Sequence, residues 1–247
     1  MKTVRFRIAR PQRAEQWQEF DVPVQDHTTV VDSLEWIRTH LDRTLMYRHS
    51  CHHGSCGTCG MVINGTSALA CTTRVVDLDL ETDQVVTVTP LPTMSHIGDL
   101  AVDPTPLFRH FPAAAGYLRP SEANRGSTPP EEVPQYKRFE NCIECGLCVS
   151  VCPVINLREF MGPAALAAYN RELEKNPGRS DELLPQVEGA EGAAGCDRHL
   201  ACSAACPTGV YPAKQIVQLR KKIEGWQKNR ESGTTGSAGD GSPVVPL

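Results

Sequence analysis

No stretch of this chain stays apolar over the roughly 18 residues a bilayer-crossing helix needs, so no membrane span is expected. The opening residues, MKTVRFRIAR, alternate charged and apolar positions and lack the apolar run of a secretory signal. Aromatic residues make up only 6%, which removes the stacking platforms that single-stranded nucleic acid uses. The 25 lysines and arginines are scattered among 29 acidic residues, and a net charge of −4 leaves no basic footprint for a phosphate backbone. A dinucleotide fingerprint is also missing. GAEGAAG at 189–195 is glycine-rich, but its spacing is GxxGxxG and it follows no strand pattern, so a loop is expected there and no flavin is held by this chain itself.

What the 247 residues do have is cysteine, eleven of them, in tight clusters. A secreted disulfide framework favours an even count without such clusters, whereas thiols at ligand spacing point to a reducing compartment and to metal. With 40% hydrophobic and 22% charged residues the chain has the composition of a globular protein of one large or two modest domains.

Periodicity predicts strands at 3–10, with Val4, Phe6 and Ile8 on one face, and at 19–24. A helix is expected over 28–41, with Val30, Leu34, Ile37 and Leu41 on one side and Thr28 or Thr29 as its cap. Asn64-Gly65 marks a tight hairpin between GMVI and TSALAC, and 84–90 reads as a strand closed by proline. These elements make a small α+β domain. From Pro90 to Pro134 proline and glycine are frequent and no period survives, the texture of a linker. Further helices are expected over 162–176, opened by Pro163, and over 212–229; the tail after them is low-complexity.

The first candidate metal site is CHHGSCGTC. Cys51, Cys56 and Cys59, with Cys71 after eleven intervening residues, match the C-x4-C-x2-C…C spacing of a plant-type 2Fe–2S cluster. Gly54, Gly57 and Gly60 allow the backbone to fold closely around such a core. The rival is zinc held by four thiolates, which more often comes from two CxxC knuckles. His52 and His53 raise the question of a Rieske centre, but four cysteines already complete both irons, and the histidines read as a solvent-facing loop.

The other seven cysteines form an internal repeat, CIECGLCVSVCP at 142–153 and CDRHLACSAACP at 196–207. In two-cluster ferredoxins the fourth cysteine of each run ligates the other cluster. That swap gives a 4Fe–4S site from Cys142, Cys145, Cys148 and Cys206. It gives a second site from Cys152, Cys196 and Cys202, whose fourth corner is His199. Three thiolates leave a corner iron without its sulfur ligand, which predicts 3Fe–4S; the rival has His199 as a nitrogen ligand to a fourth iron. Four, four and three account for all eleven thiols.

With these motifs in this order, and with SCGTCGMVINGTSALAC, PLPTMSHIGDLAVD, GPAALAAY and CDRHLACSAACPTGVYPAKQI, the chain over residues 1 to about 228 resembles the iron–sulfur subunits of succinate dehydrogenase and fumarate reductase. The resemblance implies an α+β fold: a β-grasp plant-type ferredoxin domain (1–100), a linker (101–134), a mainly helical bacterial-ferredoxin-like domain (135–230) and a low-complexity tail (231–247). It implies a non-catalytic electron-transfer subunit of succinate dehydrogenase (quinone), EC 1.3.5.1, in the respiratory chain and tricarboxylic acid cycle. Electrons would pass from an FAD flavoprotein through the 2Fe–2S, 4Fe–4S and 3Fe–4S centres to quinone. The implied partners are that flavoprotein and a cytochrome b-type membrane anchor, with haem in the anchor where present. The implied location is the cytoplasmic face of a bacterial inner membrane. Pro153, Asp197 and His199 would stand near the quinone.

The sequence also departs from that family. Ubiquinone-reducing relatives carry a tryptophan shortly after the cysteine equivalent to Cys152; CPVINLREFMGP has none and is shorter, which shifts the expectation to menaquinone. Asp197 stands where relatives often have histidine. His199 reads either as a proton relay, since imidazole titrates near neutral pH, or as a histidine packed beside the cluster. Three further alternatives stand: a subunit of a soluble or differently coupled fumarate reductase or other flavin dehydrogenase, a free ferredoxin-like carrier, and a zinc-bound structural module.

Overall fold

The computed structural model describes residues 2–80, 85–112 and 142–232. The chain begins with β1 (Lys2–Ala9) and β2 (Trp17–Val24), paired antiparallel from Lys2↔Val24 to Ala9↔Trp17. Their alternation resolves as expected: Val4, Phe6, Ile8, Phe20, Val22 and Val24 are buried on one face. Helix α1 (Val30–His40) starts at a full capping box. Thr29 accepts from the Asp32 amide, and the Asp32 carboxylate accepts from the Thr29 amide. It buries Val30, Val31, Leu34 and Ile37 against the sheet.

Strands β3 (Gly60–Ile63) and β4 (Thr66–Leu69) form the predicted hairpin, with Asn64 and Gly65 both at positive φ, as a type I′ turn requires. The Asn64 side chain then accepts from the Thr87 amide at 2.7 Å, tying the turn to β5 (Val85–Thr89). The sheet order is β2-β1-β5-β3-β4, with β1 and β5 parallel. That parallel pair, with α1 laid across the face, is the β-grasp arrangement.

Part of the segment expected to be a linker is ordered. A small hairpin, β6 (His96–Gly98) with β7 (Ala101–Val102), and a short helix α2 (Thr105–Phe108) lie in it. These pieces are too short to show a period. Leu100, Val102 and Leu107 bury them in the core, and a long-range ion pair fastens them. Arg10, fully buried, donates Nε to Asp99 Oδ1 at 2.9 Å and Nη2 to Asp99 Oδ2 at 3.0 Å, and also pairs with Asp42 and Gln18. Asp99 in turn accepts from the Met46 amide at 2.9 Å. The rest of the expected linker, the start of the second domain at 135–141 and the tail from 233 on lie outside the described residues.

The second half is helical. It runs α3 (Leu147–Ser150), α4 (Pro153–Leu157), α5 (Pro163–Lys175), α6 (Ser180–Leu183), α7 (Ala201–Ala204) and α8 (Pro212–Glu231). Prolines open α4, α5 and α8, where a missing N–H costs no hydrogen bond. Leu166, Tyr169 and Leu173 of α5 pack on Ile216, Leu219 and Ile223 of α8. Buried Asn170 donates to Gln215 at 2.7 Å and accepts from Lys222 at 2.7 Å. The two halves share apolar packing, since Leu147 and Ala164 belong to the same buried cluster as the sheet. Among the described residues no helix is long and apolar enough to cross a membrane.

Candidate metal centres

The cysteines of the first half sit on a loop and on the hairpin it leads into. Cys59 and Cys71 flank the open end of β3–β4, where Gly60 pairs with Leu69 and the Ala70 amide donates to the Cys59 carbonyl at 3.1 Å. The first amides of α1 secure the other side of Cys71: Val31 donates to Ala70 O and Val30 to Thr73 O. Cys51 and Cys56 sit on the loop before β3, which turns through positive φ at His52, Gly54 and Gly57. Those turns aim backbone amides at sulfur. His53, Ser55 and Cys56 N–H groups approach Cys51 Sγ at 3.5, 3.2 and 3.3 Å, and Gly54 N–H approaches Cys71 Sγ at 3.3 Å. The amides of His53, Ser55 and Cys56 together pull the Cys51 thiol down to about 6 against the opposing effect of burial. Burial pushes Cys59, beside Cys71 and Cys56, up to about 12. His52 and His53 are both exposed.

The repeated cysteine runs have one backbone design. In the first copy Glu144 and Gly146 stand at φ 54° and 76°; in the second, at the same offsets, Arg198 and Leu200 stand at 60° and 63°. Each copy then enters a four-residue helix, α3 or α7. Two left-handed residues, one on either side of the second ligand position, curl each loop around a point. Only the first copy has glycine there. A Cβ on Gly146 would come within 2.0 Å of Met94 Cε, whereas Leu200 is 58% exposed and extends outward.

The fold sorts these seven thiols into two groups across the repeat. Cys142, Cys145, Cys148 and Cys206 line one apolar cavity, with Leu107, Ala164 and Val210. Cys152, Cys196 and Cys202 line another, with Pro153, Asp197 and His199. Burial raises Cys142 to about 11 and Cys148 far above its ordinary value, with the neighbouring thiols adding to the rise. The Val210 amide approaches Cys206 Sγ at 3.3 Å. Cys148 also feels Cys202, so the two groups adjoin.

Around the last group two arginines fix the backbone. Arg220 of α8 donates to the carbonyls of Ala193 at 2.8 Å and Cys196 at 2.7 Å; Arg158 donates to Gly195 O at 2.8 Å and to Asp197 at 2.6 Å. Position 199 differs from its counterpart in more than its side chain: Cys145 is half-buried, His199 is exposed. The glycine-rich 189–195 segment is turn and 3-10 helix, as expected for a loop.

This donor set fits iron–sulfur cores. The seven thiols of the repeat stand around two cavities, the arrangement a multi-atom core needs. Thiols that burial keeps protonated become anionic only against a cation brought among them. Amides directed at sulfur are the hydrogen bonds that stabilise and tune such cores. The spacing of the cysteines was visible in the sequence. The left-handed residues at 144, 198 and 200 were not, because none is glycine.

Comparison with known proteins agrees with this geometry. Residues 1–109 match a family model described as a 2Fe-2S iron-sulfur cluster binding domain, and residues 138–210 match a 4Fe-4S dicluster domain. The chain is 36% identical over 211 residues to the fumarate reductase iron-sulfur subunit of Mycobacterium tuberculosis (strain CDC 1551 / Oshkosh), covering 83% of this chain and 84% of that one. It is 32% identical over 200 residues to succinate dehydrogenase [ubiquinone] iron-sulfur subunit 2, mitochondrial, of Oryza sativa subsp. japonica, covering 77% and 63%. Among solved structures, a chain of the Mycobacterium smegmatis Sdh1 complex in the apo form superposes with a TM-score of 0.74 at 25% identity, covering 92% of this chain and 97% of that one.

Proposed function

The chain belongs to the family of fumarate reductase and succinate dehydrogenase iron–sulfur subunits, and on that premise we propose that it is the electron wire between a flavoprotein and membrane quinone. The flavoprotein would carry FAD and interconvert succinate and fumarate; the wire would run toward quinone, as in EC 1.3.5.1. A cytochrome b-type anchor, with or without haem, would hold the assembly to the cytoplasmic face of a bacterial inner membrane.

When bound, the clusters supply one-electron redox chemistry. The chain's own residues hold and insulate them. Cys51, Cys56, Cys59 and Cys71 would hold 2Fe–2S, and Cys142, Cys145, Cys148 and Cys206 would hold 4Fe–4S. Cys152, Cys196 and Cys202 would hold 3Fe–4S, with the corner at His199 left without iron. The observation that carries this is the sorting of thiols across the repeat, with Cys206 joining the first run and Cys152 the second. Pro153, Asp197 and His199, on the rim of the last cavity, are the proposed quinone vicinity. Menaquinone is the proposed acceptor, on the absence of tryptophan from 154–162.

The test is to purify the intact complex, quantify iron and sulfide, record electron paramagnetic resonance at graded potentials, and assay succinate oxidation with menaquinone and ubiquinone analogues. Three distinct iron–sulfur signals and faster turnover with the menaquinone analogue are expected. Zinc in place of iron, or a last centre with four irons, contradicts the assignment. Replacing His199 with cysteine should convert that last signal to 4Fe–4S.

A further inference from the structure

We propose that Gly57 is the spacer that sets the separation of the first and second metal centres, its missing side chain letting the two ligand loops meet backbone to backbone. This rests on the ligand assignments proposed above. Gly57 follows Cys56 directly. A Cβ on Gly57 would lie 2.2 Å from the carbonyl oxygen of Ile143 and 3.0 Å from both Cα and Cβ of Cys145. Both Ile143 and Cys145 belong to the second ligand loop. A carbonyl oxygen within a ligand loop cannot swing aside as a side chain can, so the loop would have to move with it. Gly60, just beyond Cys59, repeats the contact more loosely: its Cβ would stand 3.0 Å from the carbonyl oxygen of Cys145.

The glycine is not explained by its own backbone alone. Gly54, in the same loop and also left-handed, would meet only the Thr72 methyl at 3.0 Å, and left-handed Gly65 would meet nothing. The close approach is specific to the positions facing the second loop. A cavity of about 210 Å³ adjoins the same interface, lined by Gly57 and Gly60 themselves with Cys56, Thr58, Glu144 and Cys145. The close contact at Gly57 is with the backbone of Ile143 and Cys145. Electron tunnelling decays exponentially with separation, and more steeply through a gap than through packed atoms. One electron leaves the first centre as one enters the second, with no bond made or broken, so distance and packing are what the protein controls there. A side chain at 57 would lengthen the gap without removing a ligand.

The test compares Gly57→Ala, Gly60→Ala and Gly65→Ala in the purified complex, reading the magnetic dipolar interaction between the two reduced centres. The expected result is a loss of interaction in Gly57→Ala, with each centre's own spectrum retained. A smaller loss is expected in Gly60→Ala, and none in Gly65→Ala, which introduces left-handed strain far from the interface. Should Gly57→Ala fail to load its clusters, Gly60→Ala, which adds no left-handed residue, decides. An unchanged interaction in the loaded Gly57 variant, or in Gly60→Ala where that variant decides, overturns the spacer and leaves the proposed function intact. Wild-type complex without paramagnetic iron–sulfur centres overturns both.

Discussion

The two halves of the chain reach order by different means. Residues 2–80 and 85–112 build a five-stranded sheet and an eleven-residue helix around one continuous apolar core, fastened by the buried Arg10–Asp99 pair. Residues 142–232 contain one strong helix pair, α5 with α8, while α3, α4, α6 and α7 have only four or five residues each. A helix that short cannot offset its own nucleation cost. The ligand loops of the second half therefore rest on a few anchors, such as Arg158, Arg220 and buried Leu147, and on their metal. In the first half metal is added to a scaffold; in the second it completes one.

Iron removal is the strongest way to break that contrast. On chelation, amide hydrogen exchange should become rapid across 142–157 and 196–211, while β1, β2 and β5 stay protected and α5 with α8 lies between. Loss of protection in the sheet at the same iron concentration would erase the distinction.

The next largest effect belongs to the first half. Arg10→Ala leaves buried Asp99 with only the half-exposed Arg13 at 3.8 Å as a cation, which should cost about 3–5 kcal/mol in chemical denaturation of the loaded protein. The magnetic signals of the two C-terminal centres should remain. A smaller loss is expected from Asp42→Asn. Burial raises the Asp42 carboxyl, but hydrogen bonds from Thr44 and Arg10 outweigh it and hold the group at about 2. Because that folded value lies below the ordinary 3.8, the stabilisation is whole above about pH 4 and drains away as pH falls toward 2. Asp42→Asn should thus cost about 2 kcal/mol at pH 7, and denaturation midpoints of variant and wild type should converge only below pH 4.

The smallest effects sharpen the comparison within the repeat. Gly146→Ala should lower stability by about 1–3 kcal/mol, because a methyl there must displace Met94 and take a left-handed backbone. Leu200→Gly, at the matching position of the second copy, relieves that backbone cost, offset by the greater freedom of glycine in the unfolded chain. Its unfolding free energy should stay within about 1 kcal/mol of wild type or rise.

How much of this was legible in the sequence follows the range of the interactions. Val4, Phe6 and Ile8 on one strand face, Thr29 as a cap, Asn64-Gly65 as a turn and Pro163 at a helix start are local signals, and each appears where the pattern placed it. The parallel pairing of β1 with β5 joins residues about eighty positions apart and leaves no local mark. Neither does Arg10 with Asp99, which, with Leu100 and Val102 buried in the core, orders residues 96–102 inside a proline-rich stretch. At the candidate metal sites cysteine spacing picked out the proposed donors, because ligand chemistry constrains residue type. It did not reveal the amides aimed at Cys51, since any residue supplies an amide, nor the contact of Gly57 with Ile143.

The most direct test of the account is electron paramagnetic resonance of the complex carrying Cys206→Ser. Ligation across the repeat predicts loss or conversion of the 4Fe–4S signal, whose other proposed ligands lie some sixty residues earlier, with the 3Fe–4S signal retained. Loss confined to the 3Fe–4S signal, the centre nearest to Cys206 in sequence, would contradict it.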